Sequence, residues 1–189
     1  IKVFDSELDK HFLVELAMQQ LADDTWQITK INNLKTLINE RDQALQNKLA
    51  EINAPVQKQI DDAVAVSPQK IFITSAPYSG VIRLLEADIQ LTNNAVKELQ
   101  YFTGVLELYN ADNELFYSGN FASSKDLSAK QTAVYKFNWE LNPFLTDDAK
   151  VMNSDFSKVT WKASLSSLAF ADGSTIELLT QLPVKAATK

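Results

Sequence analysis

The stretch LTNNAVKEL (residues 91–99) interrupts an alternating pattern with a pair of asparagines. The segment LLEADIQLT (84–92) leads into it, and apolar residues resume after Asn93 and Asn94. Alternation with a period of two is typical of an antiparallel strand that buries one face. Asparagine tolerates left-handed backbone, and its side chain bonds to nearby backbone groups, as a strand connection requires. We therefore interpret the Asn-Asn pair as a structural bend, not as a binding site.

Further alternating segments follow, including TAVYKFNWEL (132–141) and VTWKASLSSLAF (159–170). Turn signals separate them at NADNE (110–114) and ADGS (171–174). The pattern predicts about seven strands, at residues 70–75, 82–92, 98–109, 114–120, 132–141, 157–169 and 174–180. Such short, regularly spaced strands favour an antiparallel immunoglobulin-like β-sandwich, with a barrel as the alternative. The chain has no Cys, which excludes the antibody type.

Upstream of residue 67 the pattern is helical. The segment FDSELDKHFLVELAMQQLADD (4–24) has apolar residues at helical spacings and predicts a helix over about 5–22, capped by Asp5 or Ser6. A second, longer helix is predicted to run to about Val64, kinked or closely continued at Pro55.

The second predicted helix carries one apolar stripe. Its spacings of three, four and seven residues place these side chains on one face. The stripe residues are Leu34, Ile38, Leu45, Leu49, Ile52, Val56 and Ile60. A narrow stripe of this length needs a partner: the first helix, or a second copy of the protein. The predicted fold class is therefore α+β, with an N-terminal α-helical hairpin or coiled coil (1–66) followed by the β-sandwich (67–189).

Composition excludes several functions. The formal net charge is -6 with no basic cluster, so nucleic-acid binding is not expected. No Cys is present and His11 is the only histidine, so thiolate catalysis is excluded and few catalytic or metal sites are possible. The sequence has no run of 18 apolar residues, the length needed to span a membrane. We expect membrane attachment only through an anchor upstream of Ile1.

The candidate metal sites are weak, and no cofactor or metal is predicted. Glu7, His11 and Glu15 would share a face of the first helix and could hold a metal, but a solvated polar face is the favoured interpretation. The loop NADNEL (110–115) is rich in oxygen ligands for Ca²⁺, but it lacks the EF-hand spacing and glycine. The acidic stretch TDDAKVMNSD (146–155) is interpreted as a solvated loop with a helical turn.

Two tryptophans raise the possibility of a sugar-binding platform. Trp139 and Trp161 both lie on the strand face that we assign to the core, so a structural role is favoured. Ser79 in PYSG (77–80) has no nearby base, and no phosphate-binding or nucleophile-elbow motif is present. The chain is therefore not expected to be an enzyme.

The segment ADIQLTNNAVKELQYFTGVLELYNADNELFYSGNF (87–121) resembles bacterial extracytoplasmic, lipoprotein-type domains of immunoglobulin-like fold and unassigned function. The matching positions are Asn93, Asn94, Leu99, Gly104, Val105, Leu106, Tyr109 and Asp112. The segment LSSLAFADGSTIEL (165–178) resembles their closing hairpin.

The resemblance implies a lipid-anchored location in the bacterial periplasm or cell envelope. We expect a non-enzymatic protein–protein interaction or scaffolding module. It would bind a protein partner or form a homo-oligomer through the helical region. The alternative is a small-ligand or carbohydrate-binding module.

Overall fold

The computed structural model describes residues 1–183, which contain eleven strands and two helices. The strands form four separate antiparallel sheets of two, two, three and four strands. The chain divides into two compact units. The first unit contains residues 1–55 and the segment from Leu179 onward, and the second contains residues 56–178.

The first unit begins with two β-hairpins, followed by the start of a long helix. Its strands are β1 (Lys2–Asp5), β2 (Lys10–Leu13), β3 (Leu16–Gln20) and β4 (Trp26–Ile31), and α1 spans Leu34–Ala63. β1 pairs with β2, and β3 pairs with β4. The predicted helix over 5–22 is therefore wrong.

The N-terminal residues satisfy two periodicities, and the strand periodicity prevails. Leu8 and Phe12 are four apart, as in a helix, but Phe12 and Val14 are two apart, and all three side chains are buried. The Asp5 carboxylate accepts the N–H groups of Glu7 and Leu8 (3.0 and 3.1 Å). These are the bonds a helix cap would make, but here they close a hairpin turn.

The predicted fold class is wrong. An α-helical hairpin needs two helices within residues 1–66, and the structure has only α1 there. The β-strands are not one sandwich after a helical domain, because strands also precede α1 and all of them lie in small, separate sheets. The predicted boundary between residues 66 and 67 lies inside a strand. Pro55 lies inside α1, which continues through it.

The second unit contains the remaining elements. They are β5 (Val64–Ser75), β6 (Arg83–Asn93), β7 (Leu99–Tyr109), β8 (Leu115–Ser123), β9 (Thr132–Leu141), α2 (Thr146–Met152), β10 (Thr160–Phe170) and β11 (Thr175–Glu177). The strand orders are β5-β6-β9 and β11-β10-β7-β8. Residues from both sheets and from the end of α1 form one hydrophobic cluster. Thus these two sheets share a core.

The alternation of these strands matches the observed burial. Leu85, Ala87, Ile89 and Leu91 of β6 are all fully buried. β5 begins at Val64, before the predicted start at residue 70. Pro68 does not interrupt the strand, because it lies on an edge strand at an irregularity in the pairing with β6.

The Asn93 side chain is buried at the end of β6, and it is the one buried polar residue within 1–183. Its amide nitrogen donates to the carbonyls of Lys97 (2.8 Å), Leu127 (2.9 Å) and Ser128 (3.3 Å). Its amide oxygen accepts the Ala95 N–H at 3.0 Å. The bend is therefore structural, as predicted. It does not use left-handed backbone, because neither asparagine has a positive φ.

Replacing Asn93 tests this network. Asn93→Leu leaves the carbonyl oxygens and one N–H unpaired in the interior, and we expect the free energy of unfolding to fall by about 3 kcal/mol or more. The control is Asn94→Leu, because Asn94 is exposed, and we expect it to change stability by less than about 0.5 kcal/mol. Urea unfolding followed by circular dichroism measures both. Equal effects of the two substitutions would contradict the role of the Asn93 amide.

Candidate interaction surface

The predicted stripe on α1 is divided among three environments. Leu34 and Ile38 are 49% and 50% exposed. Leu45, Leu49 and Ile52 belong to a hydrophobic cluster of the first unit. The last two stripe residues, Val56 and Ile60, belong to the core cluster of the second unit. Most of the stripe is therefore occupied within the chain, and only its first two residues offer an open surface.

The first-unit cluster explains why α1 carries apolar residues on this face. Leu49 packs with Leu8, Phe12 and Leu182, and all four side chains are less than 9% exposed. In the first unit, the partner of the helix is thus the β1–β2 hairpin together with Leu182, instead of the second helix that the stripe suggested.

An ion-pair group also joins α1 to the first hairpin. The Arg41 guanidinium donates to Asp5 (2.8 Å) and to Glu7 (2.9 Å). The hydrogen bond from the Leu8 N–H and the Arg41 guanidinium together lower the pKa of the Asp5 carboxyl. Sequence reasoning missed Arg41, because its partners lie 36 and 34 residues away and no local pattern relates them.

A cavity of about 450 Å³ lies beside this ion-pair group, lined in part by Phe4, Leu37 and Arg41. The volume is in the range of small-ligand sites. The charged groups at its wall are already engaged with one another, because Arg41 contacts both carboxylates. The cavity therefore presents mainly apolar surface.

The β3–β4 hairpin has one apolar face, which we call the ribbon face. Met18 lies opposite Ile28, Gln20 opposite Trp26, and Leu16 opposite Ile31. Residues directly opposite each other on paired strands, and residues two apart along a strand, share a face. The ribbon face therefore consists of Leu16, Met18, Gln20, Trp26, Ile28 and Ile31.

The ribbon face is open. Met18, Trp26 and Ile28 are 49%, 60% and 54% exposed. Within residues 1–183, eleven of the twenty exposed large apolar side chains lie in residues 1–38. Single exposed apolar residues are common, but a concentrated set is typical of an interaction site.

The structure does not arrange Glu7, His11 and Glu15 on one helix face. His11 lies on β2 opposite Phe4, with the ring centroids 5.0 Å apart. Glu7 lies in the hairpin turn and contacts Arg41. In the described part of the chain, no three Asp, Glu or His side chains are close enough together to hold a metal ion.

The oxygen-rich loop at 110–115 is the turn between β7 and β8. The Asn110 side-chain oxygen accepts the N–H groups of Asp112 (3.0 Å) and Glu114 (2.8 Å). The Asn110 amide nitrogen donates to the Glu114 carboxylate at 3.0 Å. These three hydrogen bonds stabilise the turn, which agrees with the interpretation of this loop as a hairpin connection.

The acidic stretch 146–155 begins with helix α2. Asp147 pairs with Lys150 at 2.9 Å, and Asp155 pairs with Lys158 at 3.5 Å. The Asp148 carboxylate accepts the N–H of Asn142 at 2.9 Å. Each of the three aspartates thus contacts a group close to it in the sequence. An open cleft of about 400 Å³ lies beside α2.

Neither tryptophan of the second unit forms a platform. Trp139 and Trp161 are half-buried and pack against the core cluster. The Trp139 indole nitrogen donates to the carbonyl of Asn120 on β8 at 2.7 Å. A Cβ at Gly119 would lie 2.7 Å from that nitrogen, so the indole packs against a backbone position that leaves no room for a Cβ unless the indole moves. The sugar-stacking hypothesis thus loses the two residues on which it rests.

No protein-family model matches the chain, and no curated protein sequence matches it. Solved structures show only a weak likeness, and in three of them the matched part covers 60–64% of this chain. The structural genomics target SoR45 is 12% identical with a TM-score of 0.38, covered over 80% of its length. The putative ApaA protein from Bordetella pertussis is 13% identical with a TM-score of 0.34, covered over 83%. A protein from Archaeoglobus fulgidus is 12% identical with a TM-score of 0.33, covered over 99%. Likenesses at this level assign neither a family nor a function.

Leu49 and Leu34 of α1 allow the buried part of the stripe to be compared with its exposed part. We expect Leu49→Ala to lower the free energy of unfolding of the first unit by about 2–4 kcal/mol, because it leaves a cavity in a small cluster. Leu34→Ala removes the same atoms from an exposed position and should change stability by less than about 0.5 kcal/mol. Thermal and urea unfolding measure the difference. If both variants lose the same stability, the assignment of Leu49 to a core is wrong.

The contact between Trp139 and Gly119 gives a second test. Gly119→Ala forces the indole away from the backbone and weakens its bond to Asn120, so we expect a loss of about 1–3 kcal/mol. The control is Gly80→Ala, since a Cβ at Gly80 has no heavy atom within 4 Å. Urea unfolding monitored by tryptophan fluorescence measures both variants. A neutral Gly119→Ala would show that the indole does not need its observed position.

Proposed function

We propose that this protein is a non-enzymatic protein–protein interaction module of the bacterial cell envelope. The observation that carries the proposal is the open ribbon face, together with Leu34 and Ile38 at the start of α1. Buried aromatic and aliphatic anchors supply most of the binding energy of protein interfaces, and Trp is among the commonest of them. Trp26 is exposed in the single chain and would become such a buried anchor when a partner covers it.

The site chemistry supports binding over catalysis. The one histidine packs beside Phe4, and the carboxylates at positions 5 and 7 are paired with Arg41. The side chains of the ribbon face itself are apolar except for the neutral amide of Gln20. Such a surface gains free energy by leaving water, but it holds no positioned acid, base or nucleophile.

The envelope location and the lipid anchor are proposals that rest on the sequence resemblance. Within residues 1–183, no helix combines the length and the apolar character needed to cross a membrane. Fractionation of cells that express the native gene at its normal level tests the location. Recovery with the membrane fraction and release by detergent would support it, whereas recovery with cytosolic markers would overturn it.

Site-specific photo-crosslinking in cells tests the interaction surface. We place a photoreactive phenylalanine analogue at Ile28 on the ribbon face, and at Gln27, the next residue on the same strand, as the control. We expect a discrete protein product from position 28 that is at least about tenfold more abundant than from position 27, as a buried anchor would give. Mass spectrometry identifies the product. Equal or absent products at both positions would refute the ribbon face as a protein-binding surface.

A further inference from the structure

We propose that the cleft beside α2, which we call the α2 cleft, binds a small monocarboxylate with an apolar body, such as a fatty acid of medium chain length. The cleft has a volume of about 400 Å³, which is within the range of small-ligand sites. Its lining includes Ala111, Phe116, Lys150, Asp155, Lys158 and Val159. The inference goes beyond the proposed function, because it concerns a ligand of the second unit and not the ribbon face of the first.

The walls of the α2 cleft are mainly apolar. Phe116 on β8 and Val159 directly before β10 are half-buried, and both pack against the core cluster of the second unit. Ala111, in the turn between β7 and β8, is exposed and lines the same cleft. Apolar surface in a concave site gains free energy when an apolar ligand replaces water there. The walls therefore favour a ligand with an apolar body.

The α2 cleft carries positive charge in an acidic protein. Lys150, Lys158 and Asp155 are the charged residues that line it within residues 1–183. Two ammonium groups and one carboxylate leave one positive charge in excess, whereas the whole chain has a net charge of -6. A ligand with a single negative charge balances this excess, and a neutral or cationic ligand does not.

Both ammonium groups keep hydrogen-bond donors for a ligand. Lys150 donates to Asp147 at 2.9 Å, which uses one of the three N–H donors of the ammonium. Lys158 lies 3.5 Å from Asp155, farther than the about 2.8 Å of a charge-assisted hydrogen bond. The other oxygen of the Asp155 carboxylate accepts the N–H (3.1 Å) and the hydroxyl (2.7 Å) of Ser157. The lysines can therefore donate to a carboxylate that enters the cleft.

Three carbonyl groups in the last turn of α2 are already paired. The Ser154 hydroxyl donates to the Lys150 carbonyl at 2.7 Å, and the Ser154 N–H donates to the Val151 carbonyl at 3.1 Å. The Asn153 amide donates to the Ala149 carbonyl at 2.8 Å. Unpaired carbonyl groups at a helix C-terminus repel anions. Their pairing reduces this repulsion, so the two lysines determine the charge that a ligand meets.

Titration of the purified chain with hexanoate, followed by NMR chemical shifts of the backbone amides, tests the site. We expect the largest shifts within residues 110–116 and 150–159. The matched ligand is 1-hexanol, which has the same chain length and no charge, and we expect its dissociation constant to be at least about tenfold higher. Absence of hexanoate binding, equal affinity for the two ligands, or shifts spread over the whole chain would each overturn the proposal.

Lys158→Met and Lys58→Met are matched variants for the charge. Both lysine side chains are 74% exposed and pair with an aspartate three or four positions away, but of the two only Lys158 lines the cleft. We expect Lys158→Met to raise the dissociation constant of hexanoate about threefold or more and to leave that of 1-hexanol unchanged. Lys58→Met should change neither. If Lys158→Met affects both ligands equally, or affects neither, the lysines do not recognise the carboxylate and the proposal is wrong.

A third variant tests the location independently of charge. Ala111→Trp places a large side chain in the cleft, and we expect it to raise the dissociation constant of hexanoate at least about tenfold. The control is Ala171→Trp, because Ala171 is an exposed alanine in the turn between β10 and β11. Circular dichroism verifies that both variants are folded. Unchanged hexanoate binding by Ala111→Trp would show that the ligand lies elsewhere.

Discussion

The fold of the second unit depends on the Asn93 amide. Its side chain bonds to Lys97 and Leu127, which belong to two different connections between strands. Next to it, Leu99 and Leu127 exchange backbone hydrogen bonds, and the Asn94 N–H donates to Ala63 at the end of α1. A buried amide without partners is costly, so these connections must meet at one geometry. Contacts between the apolar side chains of the core are non-directional, whereas the hydrogen bonds of Asn93 specify the positions of the two connections relative to the end of β6.

Helix α1 shows how one apolar stripe can serve two cores. Leu49 lies in the cluster of the first unit, and Ile60 lies in the core of the second. A continuous stripe on a long helix is the usual pattern of a coiled coil, since it needs cover along its whole length. Here most of that cover comes from strands and hairpins, whose apolar residues are distant in sequence. The two stripe residues that are buried lie in different cores, and the stripe itself contained no information about which elements would cover them.

The sequence predicts an element well where its apolar residues fit one periodicity. Where they fit two, tertiary contacts decide between helix and strand, and the sequence does not show those contacts. β6 and β9 alternate over ten residues or more, so only one face can be buried and their positions were predicted within a few residues. Around Phe12, by contrast, apolar residues satisfy both a helical and a strand spacing. Asp5 could cap a helix or close a turn with the same two bonds. The Arg41 ion pairs and the packing of Leu8 decide between these, and both act through residues of α1 more than 30 positions away.

The ribbon face was hidden from the sequence for a different reason. Met18 and Ile28 are ten residues apart, and only antiparallel pairing with a register shift after Ala17 places them opposite each other. Each strand alone has only two or three apolar residues on that face, too few to identify a surface. Pairing doubles the apolar area without supplying anything to cover it. Because an uncovered hairpin is marginal, its order and its binding are thermodynamically linked. A partner that covers Trp26 and Ile28 therefore also stabilises the strands that present them.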